Sequence, residues 1–460
     1  MKIKLLATVL LVGSFTSQAQ NIFGSACRGN ISRLDSLLQH HSINIQDNRG
    51  RSLLHWAIGC KQKEVFDQLI QKGINPNLKD HQNRTPMYAA VQFDNVYYFE
   101  ALRNLQEDNS WVQNQGAALL ERAILNKSNA FVQKLVAAGV DVNGKNERGS
   151  TPLEIAKRLE ADDIYITLLT HGADEKAIRT FVMKGPYMGQ QSPDSIPKLF
   201  APNFISTEES EFGSVFNSAG TEFYYAVDVN GKNEIRFSKL VDGVWSKPTT
   251  LLSHDRYGYN DPFLSNDESR LYFISKQALD GVGKLKDVDI WYVEKEKDGW
   301  SEPINAGTII NTKGNEYFIS FTQEGTLYFS SNGHQPEKTD YDIYSSKFVH
   351  GSYQKPARLG DAINTEGYEA DVFVSPNESY MIFCSIRDGG FGQGDLYISF
   401  KNPNGEWTTA INMGAEINTE NYEYCPFVTK DGKYLFFTSN QDIYWVSTSV
   451  ITKLKENSAQ

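Results

Sequence analysis

Apolar positions in the first half of the chain recur in blocks. Gly50, Asn83, Gly116 and Gly149 mark equal intervals along it. The stretches behind them align: Ser52-Leu53-Leu54-His55-Trp56-Ala57, Thr85-Pro86-Met87-Tyr88-Ala89-Ala90, Ala118-Leu119-Leu120-Glu121-Arg122-Ala123 and Thr151-Pro152-Leu153-Glu154-Ile155-Ala156. A second apolar run follows, as in Val65-Phe66-Asp67-Gln68-Leu69-Ile70 and Phe131-Val132-Gln133-Lys134-Leu135-Val136. Spacing of three and four predicts two short helices per block. Thr85 and Thr151 are placed to cap the first helix, with Pro86 and Pro152 in its first turn, where no amide hydrogen is needed. Gly73, Gly139 and Gly172 suit left-handed stops after the second helix. One such pair cannot bury its apolar face alone, so about five units between residues 21 and 181 are expected to stack.

The pattern changes after a Pro-, Gly- and Ser-rich stretch, 182–197, which reads as a linker. From 198 to 450 the period is about 50 to 58 residues and the alternation is that of strands. Runs such as Phe427-Val428-Thr429-Lys430-Asp431-Gly432-Lys433-Tyr434-Leu435-Phe436-Phe437 place Asp-Gly between two strands, a hairpin signal. A third strand opens with Asp at Asp289, Asp342, Asp395 and Asp442, and Ile-Asn-Thr closes a fourth at Ile310-Asn311-Thr312, Ile363-Asn364-Thr365 and Ile417-Asn418-Thr419. Four short antiparallel strands per repeat predict propeller blades. First strands fall near 213, 261, 317, 370 and 424, giving five blades, with six as the alternative. The last copy lacks its fourth strand, and Lys198 to Thr207 resembles it. The ring is therefore expected to close by pairing this segment into the last blade, which removes exposed edges. Residues 451–460 read as a tail.

Two resemblances follow from these motifs. The helical period of about 33 residues, with Thr-Pro-Leu, resembles the ankyrin family, which implies a helical solenoid that binds partner proteins. The blade repeat, with Leu-Tyr-Phe, Asp-Ile-Tyr/Trp and a Trp near each second hairpin, is similar to the WD40-like repeat of TolB-type propellers of exported bacterial proteins. That resemblance implies a binding or scaffolding role in the cell envelope.

The N-terminus carries Lys2 and Lys4, an apolar run from Leu5 to Val12, and Ser17-Gln18-Ala19. This is the pattern of a secretory leader over 1–19, and the run is shorter than the roughly 20 residues a membrane span needs. Periplasmic or extracellular placement is the expectation. Net charge is −11 and becomes −13 without the two leader lysines, since no acid precedes Ala19. With no basic cluster, nucleic acid is not expected as a partner. Of four cysteines, Cys27 and Cys60 occupy equivalent places in successive repeats. Repeats about 10 Å apart exceed the ~7 Å Cα limit for a bridge, so these two are expected as small buried hydrophobes. A Cys384–Cys425 bond is the alternative open to the other pair.

Candidate chemistry is sparse. No His-Glu-x-x-His, metal-spaced Cys/His set, phosphate loop or Gly-x-Ser-x-Gly elbow occurs, so no cofactor, metal or catalytic residue is assigned and a binding function is expected. One carboxylate recurs at the entry to each first strand: Glu211, Glu316, Glu369 and Glu423, with Tyr259 and then Asp261 in the second copy. The long loops Lys276–Asp287 and Ser385–Gly394, the latter with Arg387 and Asp388, are expected on the same face. A carboxylate ring at a channel mouth could hold a cation, a glycan or a basic peptide, and a carbohydrate-binding or glycosidase-like propeller is the rival reading. A position repeated in nearly every blade is more often structural. The same holds for the Asp that opens each third strand.

Overall fold

The computed structural model describes residues 19–106, 108–229, 231–334 and 340–458. The expected leader lies outside the described residues, except for Ala19. The chain divides into two compact units, Met1–Thr180 and Phe181–Gln460.

Among its described residues the first unit contains five helix pairs: Ala19–Cys27 with Ile31–Leu38, Leu53–Gly59 with Lys63–Gln71, Pro86–Gln92 with Val96–Asn104, Ser110–Leu125 with Asn129–Ala137, and Pro152–Arg158 with Asp162–Thr170. The caps read from sequence are present. Thr85 Oγ1 accepts from Tyr88 N at 3.3 Å and Thr151 Oγ1 from Glu154 N at 3.2 Å. Glu154 reaches back to Thr151 N at 3.0 Å, which completes a capping box. His55 replaces the glutamate in the second repeat. Its Nδ1 accepts from Ser52 N at 3.0 Å, leaving the proton on Nε2, which donates to Arg84 O of the next repeat at 3.1 Å. Burial lowers the His55 pKa, in keeping with this neutral tautomer. Leu53, Leu54, Ala57, Ile58, Leu119, Leu120 and Ala123 have no exposed surface, so the repeated apolar positions are the seams between pairs.

Gly116 departs from its three counterparts. It sits inside the 16-residue helix Ser110–Leu125 rather than in a turn. A Cβ there would stand 2.9 Å from Val140 Cγ2, so the glycine serves close packing.

Cys27 and Cys60 correct the sequence expectation: they form a disulfide with Cα atoms 5.1 Å apart. The repeat spacing of about 10 Å is a distance between helix axes. Cα atoms lie ~2.3 Å off each axis, so facing residues approach to about 5.4 Å. Cys27 ends the first helix of its repeat and Cys60 follows the equivalent helix of the next, on facing sides. Cys384 and Cys425 are buried free thiols.

The second unit is a five-bladed propeller. Blade 1 runs outward through Ser210–Phe216, Glu222–Val229, Lys232–Val241 and Thr249–Leu252. Blade 2 uses Tyr259–Leu264, Arg270–Ser275, Asp289–Glu296 and Ile304–Asn305, and blade 3 Glu316–Phe321, Leu327–Ser331, Asp342–Ser346 and Ala357–Arg358. Blade 4 uses Tyr368–Val374, Tyr380–Ile386, Asp395–Phe400 and Ile411–Asn412. Blade 5 is Tyr424–Val428, Tyr434–Ser439 and Asp442–Ser447, completed by Lys198–Leu199. The closing strand is antiparallel to its neighbour with Lys198 opposite Trp445, and Phe200 N donates to Ile443 O at 2.9 Å. Phe200 packs on Phe223, Phe436 and Trp445 at ring separations of 4.9 to 5.4 Å, so the seam is also an aromatic core.

Residues 182–197 are not a free linker. Trp245 N donates to Met183 O at 2.9 Å and Trp245 Nε1 to Gly185 O at 2.8 Å, on blade 1. Tyr187 Oη donates to Asp431 at 2.9 Å, and Ser447 N to Asp194 O at 3.0 Å, on blade 5. The segment straps the first and last blades together. The expected C-terminal tail is likewise ordered: Ser449–Ser458 is a helix with Val450 and Ile451 buried.

Candidate functional site at the propeller axis

The recurring Ile-Asn-Thr and the recurring Glu act together. Asn364 Oδ1 accepts from Ile343 N at 2.7 Å, while its Nδ2 donates to Ile343 O and Leu359 O, both at 2.9 Å. Asn311 and Asn418 repeat this on Ile290 and Leu396. The next residue, Thr, donates to the Glu four positions on, which opens the following blade. Thr365 N and Oγ1 donate to Glu369 at 2.8 and 2.7 Å, with Ser385 Oγ at 2.9 Å. Glu316 and Glu423 receive the same three donors from Thr312 and Ser331 and from Thr419 and Ser439. Glu211 receives Thr207 N at 3.0 Å and the Thr207 hydroxyl. All four carboxylates are fully buried. They are occupied by the chain's own donors and join blade to blade. Burial pushes Glu211, held by Thr207, up to about 8; Glu316, which has Ser331 besides its Thr, rises to about 7.

The other sequence candidates are placed as follows. Tyr259 is buried and its Oη donates to Gln277 Oε1 at 3.0 Å. Arg387 donates to Ser385 Oγ and Ile363 O at 2.9 and 2.6 Å, lies 3.4 Å from Glu369, and stacks 4.6 Å over the Tyr397 ring. Asp388 is exposed on its loop. A sugar platform on this face would draw on aromatic rings beside an acid, such as Tyr257, Tyr259, Phe391 and Glu369; Tyr257, Tyr259 and Glu369 are buried, and Phe391 is exposed. These four therefore do not form an open aromatic–acid funnel.

Asp261 is different. Two residues after the Glu position each first strand bulges, and the residue there takes a left-handed backbone: Gly213, Asp261, Phe318, Asp371 and Cys425, with φ between 44° and 55°. Asp261, Asp371 and Cys425 belong to blades 2, 4 and 5. Blade 3 intervenes between 2 and 4, and blade 1 between 5 and 2, so their side chains can meet only at the ring centre. They do meet: one ligand-type atom from each lies within 4.8 Å of the others. Cys425 Sγ donates to Asp261 Oδ1 at 3.4 Å. All three are buried.

Two residues further on, Phe263, Phe373 and Phe427 come together across the axis. The Phe427 ring lies 6.0 Å from each of the other two, so apolar surface crosses the axis two residues beyond the cluster. At Gly213 a Cβ would stand 2.8 Å from Asp261 Oδ1, so blade 1 yields its share of the axis to that carboxylate. Burial pushes Asp261 up to about 6, and burial plus the neighbouring Asp261 charge pushes Asp371 well above the carboxylate range. Burial likewise raises the Cys425 thiol. Tyr317, Tyr341, Tyr368, Tyr422 and Tyr424 gather alongside as half-buried rings, linked by contacts of 5.0 Å (Tyr317–Tyr341), 5.5 Å (Tyr341–Tyr368) and 5.3 Å (Tyr422–Tyr424).

Sequence reading singled out Asp261 but passed over Asp371 and considered Cys425 only for a bond to Cys384, which the structure does not form. The signal was present as register: the second residue after each recurring Glu (Tyr in blade 2) varies through Gly, Asp, Phe, Asp and Cys while the Glu itself hardly changes.

No helix among the described residues is long and apolar enough to cross a membrane. In comparisons with known proteins, the chain is 28% identical over 142 residues to an ankyrin repeat protein of Acanthamoeba polyphaga mimivirus, covering 30% of this chain and 19% of that one. It is 29% identical over 156 residues to mouse Rabankyrin-5, covering 28% and 13%. With human neurogenic locus notch homolog protein 1 the figure is 27% over 143 residues, covering 31% and 6%. The chain thus spans under a fifth of the length of these relatives. Residues 22–114 match the family model for ankyrin repeats in three copies, so an N-terminal ankyrin-repeat region is followed here by an all-β, five-bladed propeller.

Proposed function

We propose that this is an exported binding protein of the cell envelope that recognises a protein partner through its ankyrin repeats and uses the propeller as a second recognition or scaffolding surface. Ankyrin repeats imply protein–protein interaction, and one repeated feature gives that a location. Arg51 lies 4.3 Å over Trp56 and is held by Asp47 at 2.8 Å. One repeat on, Arg84 lies 5.8 Å over Tyr88 and is held by Asp80 at 2.9 Å. Trp, Tyr and Arg are the side chains that dominate protein interfaces. Here they are half-buried, pre-ordered by neighbouring carboxylates, and lose little rotamer freedom on binding.

Export is supported by the leader pattern and by the Cys27–Cys60 disulfide, since such bonds persist in oxidising compartments. The likeness of the blade repeat to TolB-type propellers points the same way. The glycan reading is not adopted, because its aromatic and acidic groups are mostly buried.

The test uses the full chain as bait in envelope extract, with cross-linking and mass spectrometry. A specific prey should be recovered, and Trp56→Ala should weaken its affinity about 30-fold, the effect of losing roughly 2 kcal/mol at an anchor. Equal recovery with Trp56→Ala and Tyr88→Ala would remove the proposed face. Intact mass of the envelope-fraction protein should give a chain beginning at Gln20.

A further inference from the structure

We propose that Asp261, Asp371 and Cys425 form a metal site on the propeller axis that takes one zinc ion. This goes beyond partner binding and does not depend on it.

The first argument is the broken symmetry. Glu211, Glu316, Glu369 and Glu423 serve the same structural task in four blades. The axial position has the same backbone in all five blades, yet its residues are Gly213, Asp261, Phe318, Asp371 and Cys425. Structural demand on a left-handed residue would favour glycine five times. Three of the five instead carry metal-ligating atoms and place them within 4.8 Å of one another.

The second argument is charge. Asp371 is 7% exposed, and its carboxylate meets the Cys425 amide and no side-chain donor among the described residues. Asp261 is equally buried and, among the described residues, meets only the Cys425 thiol. The buried glutamates of the blade entries all have Thr or Ser donors aimed at them. These two aspartates face each other with no cationic side chain against them among the described residues. Buried charge of one sign is retained where a proton or a metal completes it. Asn260 Oδ1, one residue before Asp261, is a further buried oxygen without a partner.

The third argument is the donor set. Two oxygens and one sulfur do not suit Ca²⁺ or Mg²⁺, which take oxygen alone, nor Cu⁺, which prefers sulfur throughout. Zn²⁺ accepts Cys with Asp at about 2.0–2.3 Å in tetrahedral geometry, where ligand atoms lie about 3.5 Å apart. The ligand atoms lie within 4.8 Å of one another, so coordination calls for an approach of about 1 Å. Three protein ligands leave the fourth tetrahedral position to water or another small ligand. No sequence motif announces this site because each ligand comes from a different blade.

The test uses the purified full chain, stripped with chelator and dialysed against Zn²⁺ or Co²⁺. Expected are one metal per chain by elemental analysis and, with Co²⁺, a thiolate-to-cobalt charge-transfer band in the near ultraviolet. Cys425→Ser should abolish the band, Asp371→Asn should weaken binding at least tenfold, and Cys384→Ser should leave both intact. Circular dichroism checks that each variant is folded. Should the variants not fold, X-ray absorption on the zinc-loaded wild type decides: one sulfur with oxygen neighbours supports the site, and a shell without sulfur overturns it. A folded wild type that binds no zinc, or a band that survives Cys425→Ser, also overturns it and leaves an acid pair completed by protons.

Discussion

Breaking the Cys27–Cys60 bond should loosen the first ankyrin repeat and little else. The bond closes a loop of 33 residues. Loop-closure entropy for that length gives about 3.7 kcal/mol at 25 °C, before any compensation in the unfolded chain. Both cysteines are half-buried, so exchanging sulfur for oxygen adds little to that figure. Repeat stacks lose stability locally, pair by pair, so the loss should fall on Ile31–Leu38 and its partner helix. Hydrogen exchange on the full chain reads this directly. At about 1.4 kcal/mol per decade, amides of Ile31–Leu38 in Cys27→Ser/Cys60→Ser should exchange up to about 500-fold faster, while those of Asp395–Phe400 in blade 4 should not change. Equal protection in oxidised protein and double variant would refute the loop-entropy reasoning. Alkylation of four thiols in the untreated protein would refute the bond itself.

The repeated clamps and caps are open to similar tests. Asn364→Ala removes one acceptor and two donors from a fully buried site and strands the Ile343 amide, while the Ile343 carbonyl keeps Leu359 N at 3.0 Å, so chemical denaturation should show a loss of about 1–3 kcal/mol in the propeller, and a loss under about 1 kcal/mol would count against the clamp. Burial raises the Glu154 pKa, but the Arg179 side-chain and backbone donors with Thr151 N outweigh it, and the net shift is downward from 4.5. This group therefore stabilises the last helix pair of the first unit above the unfolded carboxylate range and loses that contribution as pH falls through its lower folded value. Melts of the wild type should exceed those of Glu154→Gln at neutral pH and converge with them in acid, and a constant gap would argue against it.

Both repeat lengths were legible because each is enforced by burial that recurs with the period. Leu54, Leu120 and Leu153 must all face a neighbouring pair, and Phe273, Phe329, Phe383 and Phe437 must all pack inside a blade. The Asp-Gly hairpins and the closing segment at Lys198 follow from the same logic. What could not be read depends on distances between elements. Cys27 and Cys60 were kept apart by a spacing that holds for axes and not for facing atoms. The 182–197 stretch has linker composition, yet Met183, Tyr187 and Asp194 find partners that no local rule exposes. Gly116 occupies a turn position by period and a helix by packing. The axial trio is scattered over three blades in sequence and converges only because a ring has a centre.

The ring's order of assembly is written into its seam. Lys198, near the start of the unit, pairs with Trp445, near its end, and the strap from Met183 to Asp194 also finishes on residues close to the C-terminus. The first part of the propeller to be synthesised thus waits for the last before either edge is covered. Contacts of this span are slow to form and leave strand edges open meanwhile. A ribosome-bound or partly translocated chain lacking Asp442–Ser447 has four complete sheets and nowhere to fasten the fifth, so the unit becomes whole in one late step rather than blade by blade.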